Sequence, residues 1–363
     1  MKILLIGEYS NVHATLAEGL RALGHEVTVV SDGDGWKNYP RDIDVSRRPG
    51  TLGGILLMAR LYALLPRLRG YDVVQLINPM FFELKAERLF WFYRYLRKHN
   101  KRVYLGAFGM DYYWVHTCTY DKPLRYSDFN IGNEVRTDAE AVCYQRDWLG
   151  TAKEQLNKYI AQDCDGIIAG LYEYWTCYHP IYADKTCFIP YPIKMPNSIN
   201  TERAQKSKVV IFIGINRERS FYKGTDIMLR AAKDVQQKYP YRMNLNIAES
   251  VPFAEYCKMM DGSDAILDQL YAYTPSMNPL LAMSKGIICI GGGEPENYEI
   301  INETELRPII NVEPTYDSVY HELEQLVLNP DSIPELKRQS VAYVSKHHDY
   351  LKVAQQYIDF WRR

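Results

Sequence analysis

The sequence predicts an α/β protein of two Rossmann-like domains that face each other across a cleft. Strand and helix patterns alternate along most of the 363 residues, which is typical of parallel sheets with right-handed crossovers. The alternation stops at a polar, proline-containing stretch that begins near residue 190, and it then restarts. Open parallel sheets bind ligands beyond the carboxyl ends of their strands, so the cleft is the predicted site.

The first half begins with a complete strand–helix–strand unit. Residues 2–6, KILLI, read as a strand, and Leu16, Leu20 and Leu23 follow at helical spacing with Gly24 as the expected stop. HEVTVVSD is the second strand. Alternating helix and strand patterns then continue through GILLMARLYALLPRL, YDVVQLIN, ERLFWFYRYLRKH, RVYLGAF, AKEQLNKYIAQ and DGIIAG.

The second half repeats this alternation after the polar stretch. Its strands and helices are expected at KVVIFIGI, TDIMLRAAKDVQQKY, MNLNIAE, PFAEYCKMMD, AILDQL, PLLAMSKG, IICIGG, RPIINV and YDSVYHELEQLVL. We therefore place the first domain at residues 1–192 and the second at 193–348. Residues 349–363 are predicted to form a helix that crosses back onto the first domain.

Charge and cysteine content exclude several classes of protein. The 43 Lys plus Arg and 44 Asp plus Glu give a formal net charge of -1, so no overall field favours nucleic acid as a partner. Seven Cys without a CxxC pair are typical of reduced thiols in a cytoplasmic protein. No stretch reaches the ~20 apolar residues of a membrane span, and the opening strand is too short for a signal peptide.

A basic loop between a strand and a helix is the most informative segment. In GINRERSFYKGT, residues 214–225, the cations are Arg217, Arg219 and Lys223. Gly214 and Gly224 are expected to let the backbone approach a ligand, and Asn216 is a further candidate donor-binding residue. Guanidinium forks, an ammonium and a helix N-terminus suit a diphosphate. A solvated basic loop is the alternative.

A second helix start follows LDQL on the same side of the sheet. Ser276, Met277 and Asn278 precede Pro279, and their N–H groups are candidates for a second phosphate or a sugar hydroxyl. Capping by Asn278 alone is the alternative. Asp268 and Gln269, at the end of the preceding strand, complete this group of candidate donor-binding residues.

The turn IGGGEPENYE follows the next strand of the second domain. Its Glu294 and Glu296 are candidates to accept hydrogen bonds from the hydroxyls of a sugar or ribose. A surface turn without a ligand is the alternative.

The first domain supplies candidate acceptor-binding residues. GEYSNVHAT places Ser10, Asn11 and His13 at the start of the first helix, and it lacks the GxGxxG fingerprint, which argues against a dehydrogenase. An ordinary helix-face role is the alternative for His13. Asp111, in AFGMDYYW, is a candidate to orient a hydroxyl or to cap a turn, and His116 follows in an aromatic segment.

The chain shows no pattern for a metal, a resident cofactor or a covalent nucleophile. His116 with Cys118 and the adjacent pair His347 and His348 lack zinc-site spacing. No GxSxG motif is present. We therefore expect metal-independent chemistry without a cofactor.

Several of these segments resemble the GT-B glycosyltransferases, and within them the large retaining group numbered four. LAEGLRALGHEVTVVSD, YDVVQLINP, CDGIIAGLYEYW and CFIPYPIKMP are similar to first-domain segments of that family, and AFGMD is similar to its HGxD turn. In the second domain, IFIGINRERSFYKGTDIMLRA resembles the donor-diphosphate loop and LLAMSKGIICIGGGEPE resembles the EAMAxGxPV stretch. The resemblance covers nearly the whole chain.

The resemblance implies donor binding more firmly than catalytic detail. The family's paired glutamates would fall on Tyr273 and Leu281, and the His of HGxD would fall on Phe108. Lys223 and either Arg217 or Arg219 match the family pattern, as does Asp111.

We therefore expect a cytoplasmic, metal-independent, retaining transferase of polysaccharide biosynthesis. It would move a sugar from a nucleotide diphosphate to a hydroxyl of a glycan or a lipid-linked glycan. Arg217, Arg219, Lys223 and Asp111 are the expected catalytic groups. A sugar-nucleotide epimerase and a catalytically silent nucleotide-sugar-binding protein are the alternatives. The basic and aromatic helices at residues 60–69 and 88–102 are candidates for peripheral contact with the inner membrane face.

Overall fold

Two parallel sheets organise the chain, each in its own unit. The computed structural model describes residues 1–199, 201 and 208–363. Unit 1 comprises Met1–Asp121, Cys143–Pro192 and Tyr350–Arg363, and unit 2 comprises Lys122–Val142 and Ile193–Asp349. Part of the polar stretch that marks the expected linker, residues 200 and 202–207, lies outside the described residues.

The strands of the described residues are short and mostly buried. In chain order they are β1 (Lys2–Ile6), β2 (Glu26–Ser31), β3 (Ile43–Asp44), β4 (Val73–Leu76), β5 (Arg102–Ala107), β6 (Asn130–Ile131), β7 (Glu134–Val135), β8 (Gly166–Ala169), β9 (Thr186–Phe188), β10 (Val209–Ile215), β11 (Met243–Glu249), β12 (Ala265–Leu267), β13 (Ile288–Gly291) and β14 (Ile310–Asn311).

Helices connect most of these strands. In chain order they are α1 (Val12–Ala22), α2 (Gly50–Leu64), α3 (Ala86–His99), α4 (Tyr112–His116), α5 (Ala139–Trp148), α6 (Ala152–Asp163), α7 (Tyr172–Tyr178), α8 (Ser220–Lys223), α9 (Thr225–Lys238), α10 (Phe253–Met260), α11 (Met277–Ser284), α12 (Pro295–Ile300), α13 (Tyr316–Leu328), α14 (Ile333–His347) and α15 (Tyr350–Arg362). No helix of the described residues is long and apolar enough to cross a membrane.

Unit 1 contains a seven-stranded parallel sheet in the order β3-β2-β1-β4-β5-β8-β9. Residues 3–6 of β1 have no exposed surface, as expected for a central strand covered on both faces. The C-terminal α15 belongs to this unit and packs on α1. A Cβ on Gly19 would lie 2.5 Å from the carbonyl oxygen of Tyr350, so only glycine permits this close approach.

Unit 2 contains a five-stranded parallel sheet in the order β11-β10-β12-β13-β14. The sequential neighbours β10 and β11 lie side by side, and β12 lies on the other side of β10. The chain therefore reverses its direction of winding between β10 and β12. A crevice opens at such a point beyond the carboxyl ends of the two strands.

The sequence-based domain boundaries need two corrections, and the larger one is at Lys122–Val142. This segment, which we call the strap, lies within the expected first domain, 1–192, but belongs to unit 2. Its β6–β7 hairpin is antiparallel, and Phe129 and Asn130 are fully buried. The strap belongs to unit 2 because its charged and aromatic side chains bind there. Asp349 also lies in unit 2, so the crossing to the last helix begins at Tyr350.

Arg136 anchors the strap. Its side chain is 6% exposed, and it forms an ion pair with Asp138 at 3.1 Å. Its guanidinium carbon lies 3.9 Å from the centre of the Tyr271 ring, and Nη2 donates to the carbonyl oxygen of Phe221 at 3.3 Å. The strap is thereby tied to the segments that follow β10 and β12.

Replacing Arg136 with Ala should destabilise unit 2 by about 3 kcal/mol, because the Asp138 carboxylate would remain buried without its cation. Urea unfolding of the full chain measures this loss. As a matched control, Arg338→Ala removes a half-exposed pair with Glu335 and should cost at most about 0.5 kcal/mol. Equal losses for the two variants would contradict the anchoring role.

Candidate functional site

The strand-order reversal of unit 2 brings the candidate donor-binding segments to one edge of the sheet. β10 ends at Ile215 and leads into a 3-10 turn, Arg217–Arg219, and then into α8. β12 ends at Leu267 and is followed by Asp268 and Gln269. The two segments are joined directly, since the Leu270 N–H donates to the Lys223 carbonyl oxygen at 3.0 Å.

The three cations of the basic loop have different surroundings. Arg217 is 81% exposed and pairs with Glu249, at the carboxyl end of β11. Arg219 pairs with Glu140 of the strap at 2.7 Å. Lys223, the last residue of α8, interacts electrostatically with Asp268. Lys223 therefore lies nearest the reversal point, and the two arginines are held by carboxylates on either side.

Asp268 forms the acidic centre of this edge. Burial raises its pKa to about 6, although the charge of Lys223 and a hydrogen bond from Asn278 lower it in part. Asn278 also donates to the hydroxyl of Tyr256 at 2.9 Å. At neutral pH the carboxylate is thus mainly ionised, and it can hold the Lys223 ammonium in place.

The start of α11 lies beside the same edge, because its Asn278 contacts Asp268. Ser276 is the N-cap residue, but its side chain makes no capping hydrogen bond. Asn278 lies inside the first turn and points to Asp268 and Tyr256, so the alternative that Asn278 caps the helix is wrong. Helix N-termini with open N–H groups favour anions.

The remaining candidate donor residues are mostly structural. Gly214 is required by packing, since a Cβ there would lie 2.5 Å from the Tyr256 ring. Asn216 accepts from the Glu218 N–H at 3.1 Å and starts the 3-10 turn. Gly224 has φ +71° and ends α8, as left-handed glycine caps do. Gln269 is partly exposed, and Met277 is buried.

Glu294 and Glu296 are bound by the strap. Arg125 donates to Glu296 at 2.6 Å and to Glu294 at 2.7 Å, and the hydroxyl of Tyr126 donates to Glu294. Arg125 also stacks on Tyr273, with its guanidinium carbon 4.9 Å from the ring centre. Both carboxylates are therefore engaged by protein donors.

The strap also covers Tyr273, one of the two positions onto which the sequence resemblance maps a glutamate. The Arg125 N–H donates to the Tyr273 hydroxyl at 2.6 Å, and the rings of Tyr126 and Tyr273 lie 5.0 Å apart. Tyr273 is 1% exposed. Sequence reasoning did not single out Arg125 or Tyr126, because nothing local to residues 122–142 signals a partner in the second half.

In unit 1, Asp111 has the capping role that the sequence analysis gave as its alternative. It is fully buried and caps α4 by accepting from the Trp114 N–H at 2.8 Å. The hydroxyl of Tyr178 donates to its other oxygen at 2.8 Å, and Asn157 donates to Tyr178 at 2.9 Å. Burial raises the pKa of Asp111 to about 7.

The turn after β1 holds Ser10 and Asn11 at the surface and His13 inside. Ser10 and Asn11 have positive φ values of 52° and 74°, and both are partly exposed. The Ser10 N–H donates to Asp34 at 2.8 Å. Lys37 donates to the Ser10 hydroxyl at 3.3 Å and to Asp34 at 2.6 Å. This turn therefore carries a cation that the sequence analysis did not identify.

His13 is a fully buried residue of α1. Its Nδ1 lies 2.8 Å from the Gly7 carbonyl oxygen, and its ring meets Phe108 edge-on at 6.3 Å. Burial lowers the pKa of His13 to about 4, so it is neutral at pH 7 and donates from Nδ1. His116, at the end of α4, is partly exposed between the rings of Tyr112 and Tyr120.

Glu8 is a buried acid that the sequence analysis missed. Its carboxyl oxygens accept from the N–H groups of His13, at 3.3 Å, and Ala14, at 2.8 Å. Burial raises its pKa to about 8. Glu8 therefore caps α1 from outside the helix while holding a proton at pH 7.

The described residues contain no group of three or more His, Cys, Asp or Glu arranged to hold a metal ion.

Glu8 should make the stability of unit 1 fall as pH rises from about 6.5 to about 8. In this window folded Glu8 keeps a proton that the unfolded chain, with a pKa near 4.5, has lost. The slope is at most about 1.4 kcal/mol per pH unit. His13 opposes this slope only at the lower end of the window, where the unfolded imidazole, with a pKa of 6.5, is still partly protonated and the folded one is neutral.

The neutral variant Glu8→Gln keeps an oxygen for the helix amides and should remove the contribution of Glu8 to this slope, which leaves below pH 7 the contribution of buried Asp111, whose pKa is raised to about 7. Urea unfolding at pH 6.5, 7.0, 7.5 and 8.0 measures the effect. Parallel pH profiles for the variant and the unmodified chain would contradict a protonated Glu8.

Comparison with known proteins establishes the fold. No family model and no curated protein matches this sequence. Solved structures do match over nearly the whole chain. Sucrose-phosphate synthase from Thermosynechococcus elongatus is 12% identical with a TM-score of 0.65, covering 100% of this chain and 98% of its own. HepE from Anabaena, in complex with UDP and glucose, is 12% identical with a TM-score of 0.61, covering 99% and 98%.

A third similar structure represents a different activity. A Listeria monocytogenes protein assigned as a UDP-N-acetylglucosamine 2-epimerase is 10% identical with a TM-score of 0.55, covering 99% of this chain and 95% of its own. At these identities the similarity defines architecture only. The chain has the α/β GT-B fold, with a parallel sheet in each unit.

Proposed function

We propose that this protein is a glycosyltransferase that moves a sugar from a nucleoside diphosphate to a hydroxyl acceptor. The observation that carries the proposal is the position of Lys223. It ends α8 beside Asp268, at the strand-order reversal of unit 2, and the N-terminus of α11 lies at the same edge. An ammonium and a helix N-terminus at one edge suit a diphosphate.

Lys223 is proposed to neutralise the charge that builds on the departing diphosphate. Asp268 orients the ammonium, and Asn278 fixes Asp268. Arg219 is a second candidate cation, whose pairing with Glu140 holds it near the loop. Arg217 would have to leave Glu249 to reach a phosphate, so we assign it a smaller role. Fixed cations aimed at developing charge supply transition-state stabilisation.

The family resemblance extends the proposal to retention of anomeric configuration. In that reaction the bond from the sugar C1 to the phosphate oxygen breaks while the acceptor oxygen bonds to C1 on the same face. The acceptor proton passes to the departing phosphate oxygen. His13 is buried and uncharged at pH 7, and both carboxyl oxygens of Asp111 accept hydrogen bonds from the protein. These surroundings favour a mechanism in which neither residue acts as the base.

We assign acceptor contact to the exposed surface of unit 1 rather than to its buried residues. Ser10 and Asn11 lie in a surface turn beside Lys37, and His116 lies among aromatic rings that suit sugar faces. The buried residues His13 and Asp111 are proposed to hold these surface segments in position through their hydrogen bonds. A carbohydrate or a lipid-linked glycan fits such a surface. We place the reaction in the cytoplasm, without a metal or a resident cofactor.

The alternative enzyme function is epimerisation of a nucleotide sugar. The similarity to the assigned 2-epimerase of Listeria monocytogenes supports it. Incubation with the donor alone separates the two functions. Epimerised nucleotide sugar would favour the alternative, and acceptor-dependent release of nucleotide would favour transfer.

A silent nucleotide-sugar-binding protein is the third candidate. Tyr273 and Leu281 replace the family's paired glutamates, and Tyr273 is covered by the strap. Calorimetric binding of UDP and UDP-sugars without turnover over a broad acceptor screen would favour this candidate.

Lys223→Ala should lower turnover by about 100-fold, by analogy with the loss of one transition-state donor. Steady-state release of nucleotide with the true donor and acceptor measures this. Lys238→Ala is the matched control. Lys238 lies at the far end of α9, about 20 Å along the helix, and it pairs with Glu324 on the surface. Unchanged turnover in Lys223→Ala would reject the assigned role.

A further inference from the structure

Helix α2 has two apolar faces, and only one of them is buried. Gly53, Leu57, Leu61 and Leu64 face the interior of unit 1. On the other side, Leu52 is 67% exposed, Ile55 is 60% exposed and Leu56 is 48% exposed. A surface helix normally shows polar residues on its exposed side. We therefore expect another molecule or surface to cover the exposed apolar side of α2.

Aromatic side chains extend this exposed face onto α3. Tyr62 is 47% exposed and Trp91 is 39% exposed, and their ring centres lie 5.1 Å apart. Ala59 and Ala63 are exposed between the aliphatic and aromatic parts. We call Leu52, Ile55, Leu56, Tyr62 and Trp91 the apolar face. Tryptophan and tyrosine beside aliphatic residues are typical of the boundary between lipid headgroups and acyl chains.

The charges of the chain segment that contains α2 are all positive, and the carboxyl groups closest to it are Asp44 beside Arg60 and Glu83 beside Arg47. Residues 45–71 include five arginines, at positions 47, 48, 60, 67 and 69, and no Asp or Glu. All five arginines are exposed. Arg60 lies 3.6 Å from Asp44, a weak surface pair. On α3, Glu87 is the only acid, against Arg88, Arg94 and Lys98, whereas Arg97 is paired with Asp163 and Asp165.

We propose that the apolar face of α2 and α3 docks this protein on an anionic lipid bilayer. The helix would lie in the plane of the headgroups, with the aliphatic residues in the acyl boundary and the arginines on acidic lipids. The local charge explains how a chain of net charge -1 can bind such a surface. This assignment is independent of the proposed transfer reaction, and it moves the expected contact from residues 60–69 towards the start of α2.

Flotation with vesicles tests the proposal on the full chain. The unmodified protein should float with vesicles that contain phosphatidylglycerol and phosphatidylcholine, and it should stay in the soluble fraction with phosphatidylcholine alone. Binding should weaken as salt rises, since surface charges are screened. A chain that stays wholly in the soluble fraction with the anionic vesicles would overturn the proposal.

Two sets of variants measure separately what the apolar residues and the arginines contribute to vesicle binding. Leu52→Gln, Ile55→Gln and Leu56→Gln together keep helix-forming residues at exposed positions and should abolish flotation. Arg67→Glu with Arg69→Glu should lower vesicle binding by about tenfold or more, since each cation near an anionic surface contributes. Tyr241→Ser, at an 85% exposed ring of unit 2, is the control and should float normally.

Two further measurements make the outcome specific. Sedimentation without lipid tests whether a second copy of the chain covers the apolar face. A dimer that is present in the unmodified chain and absent in the triple glutamine variant would overturn the proposal. The Lys223→Ala variant should float like the unmodified chain. If it floats but transfers no sugar, both assignments stand, and if the unmodified chain binds UDP but no vesicles, only the membrane assignment fails.

Discussion

One backbone hydrogen bond joins the two segments on which the donor site depends. The Leu270 N–H, beyond β12, donates to the Lys223 carbonyl, beyond β10. The two strands are neighbours, but their next partners lie on opposite sides, so the chain leaves them in different directions. The hydrogen bond holds Lys223 at the point where the segments part. The charge of Lys223 and the carboxylate of Asp268 are then close enough to affect each other.

The strap determines which other groups of unit 2 a ligand would meet. Arg125 compensates Glu294 and Glu296, and Glu140 holds Arg219. A sugar hydroxyl at the β13 turn would therefore encounter a guanidinium–carboxylate cluster rather than two bare acids. This arrangement changes the chemistry that the turn offers.

The sequence predicted the long, strongly periodic elements well because their burial pattern is local. Strands such as β1 and β10 and helices such as α1 and α9 follow directly from apolar spacing. The two-residue strands β3, β6, β7 and β14 carry too few residues to show a period. Tyr112 to Val115 of α4 are all buried, so this aromatic segment shows no alternation of polar and apolar faces.

The sequence predicted which loops form the candidate site, but not which side chains contact each other there. Strand ends followed by Gly, Arg and Lys indicated where a phosphate could bind. The contacts that define the site join distant residues, as Arg125 joins Glu296 across 171 positions. A single sequence carries no signal for such a pair. For Asp111 the sequence gives the position but not the role. An aspartate in such a turn can cap a helix or contact a ligand, and only its burial and hydrogen bonds show which of the two it does.

Hydrogen–deuterium exchange of the full chain with and without UDP tests the central claim most directly. The account predicts slower exchange of the backbone amides at residues 216–224 and at Ser276–Asn278, with little change at the outer end of α9. Slower exchange confined to the β1–α1 turn, or no change at saturating UDP, would contradict a diphosphate site at the reversal point of the unit 2 sheet.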